Sequence, residues 1–162
     1  MNEMADVRPA GKSKGKPASK RAGLGALARQ PSGAAEPGTR TTALMACLQA
    51  KPGAIANPMG APRASGPSVL IYKVMGKMFA ILSIRGIQNV ILKCDPNLAH
   101  VLREQYAGVG HRFHLDPRFW ISVQLDADVP SEEIERLAGH SYELVSSQLT
   151  RKRKAELAAL AN

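Results

Sequence analysis

The sequence predicts a two-layer α+β domain, an antiparallel sheet with helices on one face, in the order α-β-β-β-α-β-β-α. Three observations carry that prediction. Apolar residues recur at helical spacing in three segments, and they alternate or run together in five others. The links between the first three strands are short enough for antiparallel neighbours. The length, 162 residues with 44% apolar content, suits one domain with a real core and hardly two.

The first helix is expected over Thr39–Lys51, where Leu44, Cys47 and Leu48 form one stripe. Thr41 or Thr42 is the candidate cap, and Pro52-Gly53 ends the helix. Ala54–Pro67 reads as a long connection, because three prolines and two glycines fall between Pro58 and Pro67. Ser68–Met75 is the first strand, and Met75-Gly76 turns it into a second, Lys77–Arg85. In that second strand strict alternation places Met78, Ala80, Leu82 and Ile84 on one face and Phe79 and Ile81 on the other. Ile87–Cys94 is the third strand.

Asp95-Pro96 supplies a capping carboxylate followed by proline at the first helical position. Leu98, Val101, Leu102 and Tyr106 give that helix its apolar stripe, and Gly108 and Gly110 end it. His111–Leu115 is a short extended segment. Phe119–Leu125 alternates, with Phe119, Ile121, Val123 and Leu125 facing one way and Trp120, Ser122 and Gln124 the other. Trp120 is then either an aromatic on an open sheet face or, the favoured reading because lone tryptophans are usually largely buried, a core residue beneath the last helix. Ser131 is the expected cap of a last helix whose apolar face runs from Ile134 to Leu149, with Gly139 as a candidate break. Glu132 and Glu133 suit its start. Arg151, Lys152, Arg153 and Lys154 fall at its expected C-terminal end, where the helix dipole favours cations.

The net charge of +9 is unevenly placed. Residues 1–40 carry eight basic and three acidic groups, residues 41–150 ten and nine, and Arg151–Lys154 less Glu156 add three more. The folded part is nearly neutral, and the ends are basic. Residues 1–38 are rich in Lys, Ala, Gly, Pro and Ser and hold almost nothing large and apolar, so they are expected to be a disordered basic tail. Residues 39–150 form the domain, and 151–162 form a basic end.

Several function classes find no support. Cys47 and Cys94 stand far apart and read as reduced thiols in a cytoplasmic protein. The longest apolar run, Met78–Leu82, is far too short to cross a membrane. Lys12 and Ser13 follow Gly11 but lack the earlier glycine of a phosphate loop, since Asp6 stands there. His111 and His114 have a metal-like spacing without enough further ligands. No nucleophile elbow or zincin motif occurs, so the expectation is a protein that is not an enzyme and holds no metal or cofactor.

Five motifs in order resemble one family. They are Lys51-Pro52-Gly53-Ala54, Tyr72-Lys73-Val74-Met75-Gly76-Lys77-Met78-Phe79-Ala80, Leu92-Lys93-Cys94-Asp95-Pro96, His114-Leu115-Asp116-Pro117-Arg118-Phe119-Trp120 and Ser141-Tyr142-Glu143-Leu144-Val145. Together they are similar to the MmcQ/YjbR family of small bacterial proteins, over about residues 41–150. Pro117 and Phe119 depart from it, standing where the family tends to have Lys and His. The resemblance implies a fold like that of secretion chaperones and a role in DNA binding. The candidate contacts are Lys73, Lys77, Lys93, Arg112, His114, Arg118, Trp120, Arg151, Lys152, Arg153 and Lys154. Lys12, Lys14, Lys16, Lys20 and Arg21 would add electrostatic attraction from the tail. The alternative is a protein-interaction or chaperone-like module that ignores nucleic acid.

Overall fold

A computed structural model describes residues 37–60, 66–112 and 114–161. The tail cations Lys12, Lys14, Lys16, Lys20 and Arg21 lie outside the described residues. The elements run α1 (Thr39–Gln49), β1 (Ala54–Met59), β2 (Val69–Val74), β3 (Lys77–Ser83), β4 (Asn89–Lys93), α2 (Pro96–Gln105), β5 (Val109–Gly110), β6 (Trp120–Gln124), α3 (Ser131–Ser147) and α4 (Arg151–Leu160). The strands make one antiparallel sheet in the order β1-β2-β3-β4-β6-β5. The α+β class and the antiparallel sheet are as predicted.

One face of the sheet is closed by helices. Leu70, Tyr72, Val74, Ala80, Leu82, Val90, Leu92, Ile121 and Val123 join Leu44 and Leu48 of α1, Ala99 and Leu102 of α2, and Ile134, Leu137, Ala138 and Val145 of α3 in a single core. Arg40 clamps α1 to the start of α3: its Nε donates to Ser131 Oγ at 2.8 Å and its Nη2 to the carbonyl of Val129 at 2.7 Å. The α2–β5 corner is held by Asp128, whose carboxylate accepts from the backbone N–H of Ala107 and of Gly108, each at 2.8 Å. Those bonds hold the Asp128 carboxyl below its ordinary range.

Several expectations are corrected. The stretch taken as a connection contains β1, an edge strand paired with β2. Proline hides it in the sequence, but Pro58 is tolerated because an edge strand has one unpaired side. The helix cap is Gly38 without a side-chain bond, while Thr41 is buried and its hydroxyl donates to Gln88 Oε1. Val101 of α2 and Phe119 before β6 are exposed rather than in the core. The short extended segment falls at Val109–Gly110, not His111–Leu115. The last helix passes through Gly139 unbroken and ends at Ser147, with Pro130 rather than Ser131 at its cap. Arg151–Lys154 therefore open a new helix, capped by Thr150, and do not close the old one.

The correction with the widest effect lies in β3. Tyr72 pairs with Ala80 but Lys73 pairs with Met78, so Phe79 is an extra residue in a β-bulge. The bulge turns Phe79 into the core, where it is fully buried, and puts Met78 level with Lys73. Buried Tyr72 packs beside the Phe79 ring at 6.2 Å, and Tyr142 of α3 meets it edge-on at 5.5 Å. The Tyr142 hydroxyl donates to the carbonyl of Pro52 at 2.8 Å. The turn before the bulge is tight, with φ of 47° at Met75 and 80° at Gly76, the left-handed pair that a two-residue hairpin needs.

Ser141 of α3 locks the bulge. It is fully buried, its hydroxyl donates to the carbonyl of Phe79 at 2.5 Å, and it accepts from the backbone N–H of Lys93 at 2.8 Å. Removing the hydroxyl leaves a buried carbonyl and a part-buried N–H without this partner. Ser141→Ala is therefore expected to lower unfolding free energy by about 3 kcal/mol, read as a lower denaturant midpoint at unchanged slope. A loss under about 0.5 kcal/mol would show that the bulge does not rest on this side chain.

Candidate nucleic-acid interface

The second face of the sheet lies opposite the helices that close the core. Its side chains follow from the pairing. Toward the β2–β3 turn, Ile55, Lys73 and Met78 are aligned across β1, β2 and β3, and Lys93 and Trp120 across β4 and β6, while the β3–β4 pairing ends at Ala80 and Leu92. The bulge places Met78 in this row in place of Phe79. The next row reads Asn57, Ile71, Ile81, Ile91 and Ser122. Lys73, Lys93 and Trp120 are half-buried, and Ile55 is 63% exposed at the edge.

Trp120 faces this open side, opposite buried Ile121 and Val123, and takes no part in the core. Its backbone is fixed: Arg103 of α2 donates from Nη2 to the carbonyls of Trp120 at 3.0 Å and Pro117 at 2.5 Å. The ring of the chain's single tryptophan thus sits on a braced strand beside Lys93, its cross-strand neighbour.

Lys93 also ties the sheet to the C-terminal cap of α3: its Nζ donates to Gln148 Oε1 at 3.2 Å, three residues before α4 begins. Arg153 donates from Nη1 to the carbonyl of Met75 at 3.1 Å, which brings the first turn of α4 to the β2–β3 hairpin and to exposed Lys77. Leu157 of α4 packs at the core margin, close over Gly53, where a Cβ would stand 2.6 Å from Leu157 Cδ1. Lys73, Lys77, Lys93, Trp120 and Arg151–Lys154 therefore gather at one end of the sheet.

The predicted residues of the β5–β6 loop behave differently. Arg112 and His114 are exposed, and His114 has φ of 73°. Arg118 is tied up: Asp116 accepts from its Nη2 at 2.8 Å and from its Nε at 3.1 Å, and its guanidinium lies 5.4 Å from the Phe119 ring centre. The pair raises the Arg118 pKa and lowers that of Asp116. Arg118 adds little net positive field while Asp116 stands there.

Acids are placed elsewhere. Among the described residues the strands β1 to β6 hold Lys73, Lys77 and Lys93 and neither Asp nor Glu. The acids lie in helices and loops, with Glu132, Glu133, Glu135 and Glu143 all on α3. A strand-by-strand tally of acids would have exposed this separation in the sequence, and Thr150 as a cap would have revealed the start of α4. Cys94 is buried, and burial raises its thiol pKa to about 11, which makes it an inert core residue. No group of three His, Cys, Asp or Glu side chains able to hold a metal is present among the described residues. No described helix is long and apolar enough to cross a membrane. A shallow cleft of about 480 Å³ between α3 and α4 is lined by Pro52, Tyr142, Ser146, Leu157 and Ala158, with Lys154 and Glu143 in its wall.

These features define a class, the small single-sheet α+β protein with one face sealed by helices and the other open. The YjbR family model matches residues 50–144, and the chain belongs to the YjbR family. It is 32% identical over 91 residues to the uncharacterized protein YjbR of Escherichia coli, covering 54% of this chain and 75% of that one. It is 27% identical over 88 residues to the uncharacterized protein YbdF of Escherichia coli, covering 54% and 72%. The crystal structure of protein DR2400 of Deinococcus radiodurans, with family-model domain DUF419, superposes with a TM-score of 0.62 at 25% identity, over 78% of this chain and 91% of that one. The family match ends before α4 begins.

Asp116→Asn keeps the acceptor for the loop backbone and releases the Arg118 charge. The full-length variant is expected to elute from heparin at higher salt than the parent at pH 7. Unchanged elution would show that Asp116 does not mask Arg118.

Proposed function

We propose that this chain binds DNA with little sequence preference, holding the phosphate backbone with the open-face lysines and the start of α4. The observation that carries this reading is the placement of Arg151, Lys152, Arg153 and Lys154. They occupy the first turn of a helix with no acidic residue there. At a helix C-terminus the dipole would account for them; at an N-terminus each cation opposes it by about 0.3–1 kcal/mol at low ionic strength. All four are exposed. An arrangement unfavourable to the helix alone becomes favourable when a polyanion lies against it.

The absence of acids from the strands supports the same reading, since a phosphate chain would meet Lys73 and Lys93 without a repelling carboxylate between them. Lys12, Lys14, Lys16, Lys20 and Arg21 add unspecific attraction from the tail. The protein acts by binding, without catalytic chemistry or a cofactor, in the cytoplasm, where Cys47 and Cys94 stay reduced. One observation favours a second reading, a protein-interaction module: edge strand β1 exposes Ile55 at 63% and Met59 at 58%.

The test replaces Arg151, Lys152, Arg153 and Lys154 together with glutamine in the full-length chain. Binding to a short DNA duplex is followed by fluorescence anisotropy over a range of salt. The slope of log affinity against log salt is expected to fall by about three, while thermal stability without DNA stays level or rises. Parent protein that ignores DNA at low salt, or a variant with an unchanged slope, would overturn the reading.

A further inference from the structure

We propose that the open sheet face is a stacking platform for single-stranded nucleic acid, with Trp120 as the ring that receives a base and Lys73 and Lys93 as its phosphate contacts. The proposal rests on the polyanion reading above and narrows it to one kind of strand.

Shape and chemistry both favour a single strand. The face is built from strands alone, so it presents no helix to enter a major groove. A duplex keeps its bases stacked inside and offers a sheet only its phosphates. A single strand can turn a base outward onto an aromatic ring. Trp120 is placed to take one: it stands on the open side, half-buried, outside the core, with its strand braced by Arg103.

Spacing fits as well. Lys93 is the direct cross-strand neighbour of Trp120, and Lys73 lies on β2 toward the same end of the sheet. Met78 is level with Lys73, and half-buried Ile71 and Ile81 lie in the adjoining row, whose Ile91 is buried. This gives an apolar floor for base faces beside cations for phosphates, with no acid in the strands. Lys93 reaches Gln148 at the end of α3 and Arg153 reaches the β2–β3 hairpin, so the start of α4 lies at the same end of the sheet as the platform.

The single tryptophan is its own reporter. Full-length protein is titrated with an oligothymidylate of about 12 nucleotides and with a duplex of equal length, following tryptophan emission and, separately, anisotropy of labelled DNA. The single strand is expected to quench Trp120 and the duplex to leave it unchanged. Trp120→Ala is expected to weaken single-strand binding about tenfold or more, with duplex binding and melting temperature unchanged, and Trp120→Phe to recover part of the loss. Salt-sensitive binding to both probes, with no quenching and no effect of Trp120→Ala, would overturn the platform and leave the polyanion reading standing. Quenching equal for both probes would also overturn it. No binding to either probe at low salt would overturn both. Quenching is read on the parent protein, so the result does not depend on how well a variant folds.

Discussion

The Ser141 hydroxyl is the contact on which both faces of this molecule depend. It joins α3 to two adjacent strands at once, through the carbonyl of Phe79 and the N–H of Lys93. A bulge breaks the regular ladder and leaves backbone groups in need of partners. Here the partner comes from the helix, so the bulge and the docking of α3 are one event. The bulge sends Phe79 inward to Tyr72 and Tyr142 and aligns Met78 with Lys73 on the outside. The same helix position brings Gln148 to Lys93 and starts α4 beside the β2–β3 hairpin. A core contact thereby sets the layout of the basic surface.

The two faces divide the electrostatic work. A pI near 9.9 describes the whole chain and says nothing about where charge meets a partner. Within the described domain the strands hold three lysines and no acid, while α3 carries four acids. Such a division gives a nearly neutral body a directional field, able to orient a polyanion toward one side. The loop around Asp116 and Arg118 shows the opposite device, a cation cancelled by its own neighbour. Surface pairs of this kind contribute little to stability, so the pair matters more for the field than for the fold.

Much of the fold was legible because its signals are local. Asp95-Pro96 marked the start of α2, Met75-Gly76 marked the hairpin, and alternation put Ile121 and Val123 inward, whereas Trp120, expected in the core as lone tryptophans usually are, lies outside it. What was not legible depends on partners distant in sequence. Strict period-two reading puts Phe79 outside, and only its contact with Ser141, 62 residues later, explains why it lies inside. Pro58 concealed β1, since its tolerance depends on the strand being at an edge. For the candidate site, the residue types were evident but their grouping was not. Lys93 and Trp120 meet through register, Arg118 is masked by Asp116, and Arg151–Lys154 change meaning once Thr150 begins a new helix.

The central claim is that the open, acid-free face and the first turn of α4 form one continuous surface for a polyanion. Amide chemical-shift mapping of the isotope-labelled chain during titration with an oligonucleotide tests it most directly. The account predicts shifts concentrated at Lys73, Met78, Lys93, Trp120 and residues 151–154, with the acidic outer side of α3 unmoved. Shifts centred on Glu132 and Glu135, or no shifts in dilute buffer, would contradict it.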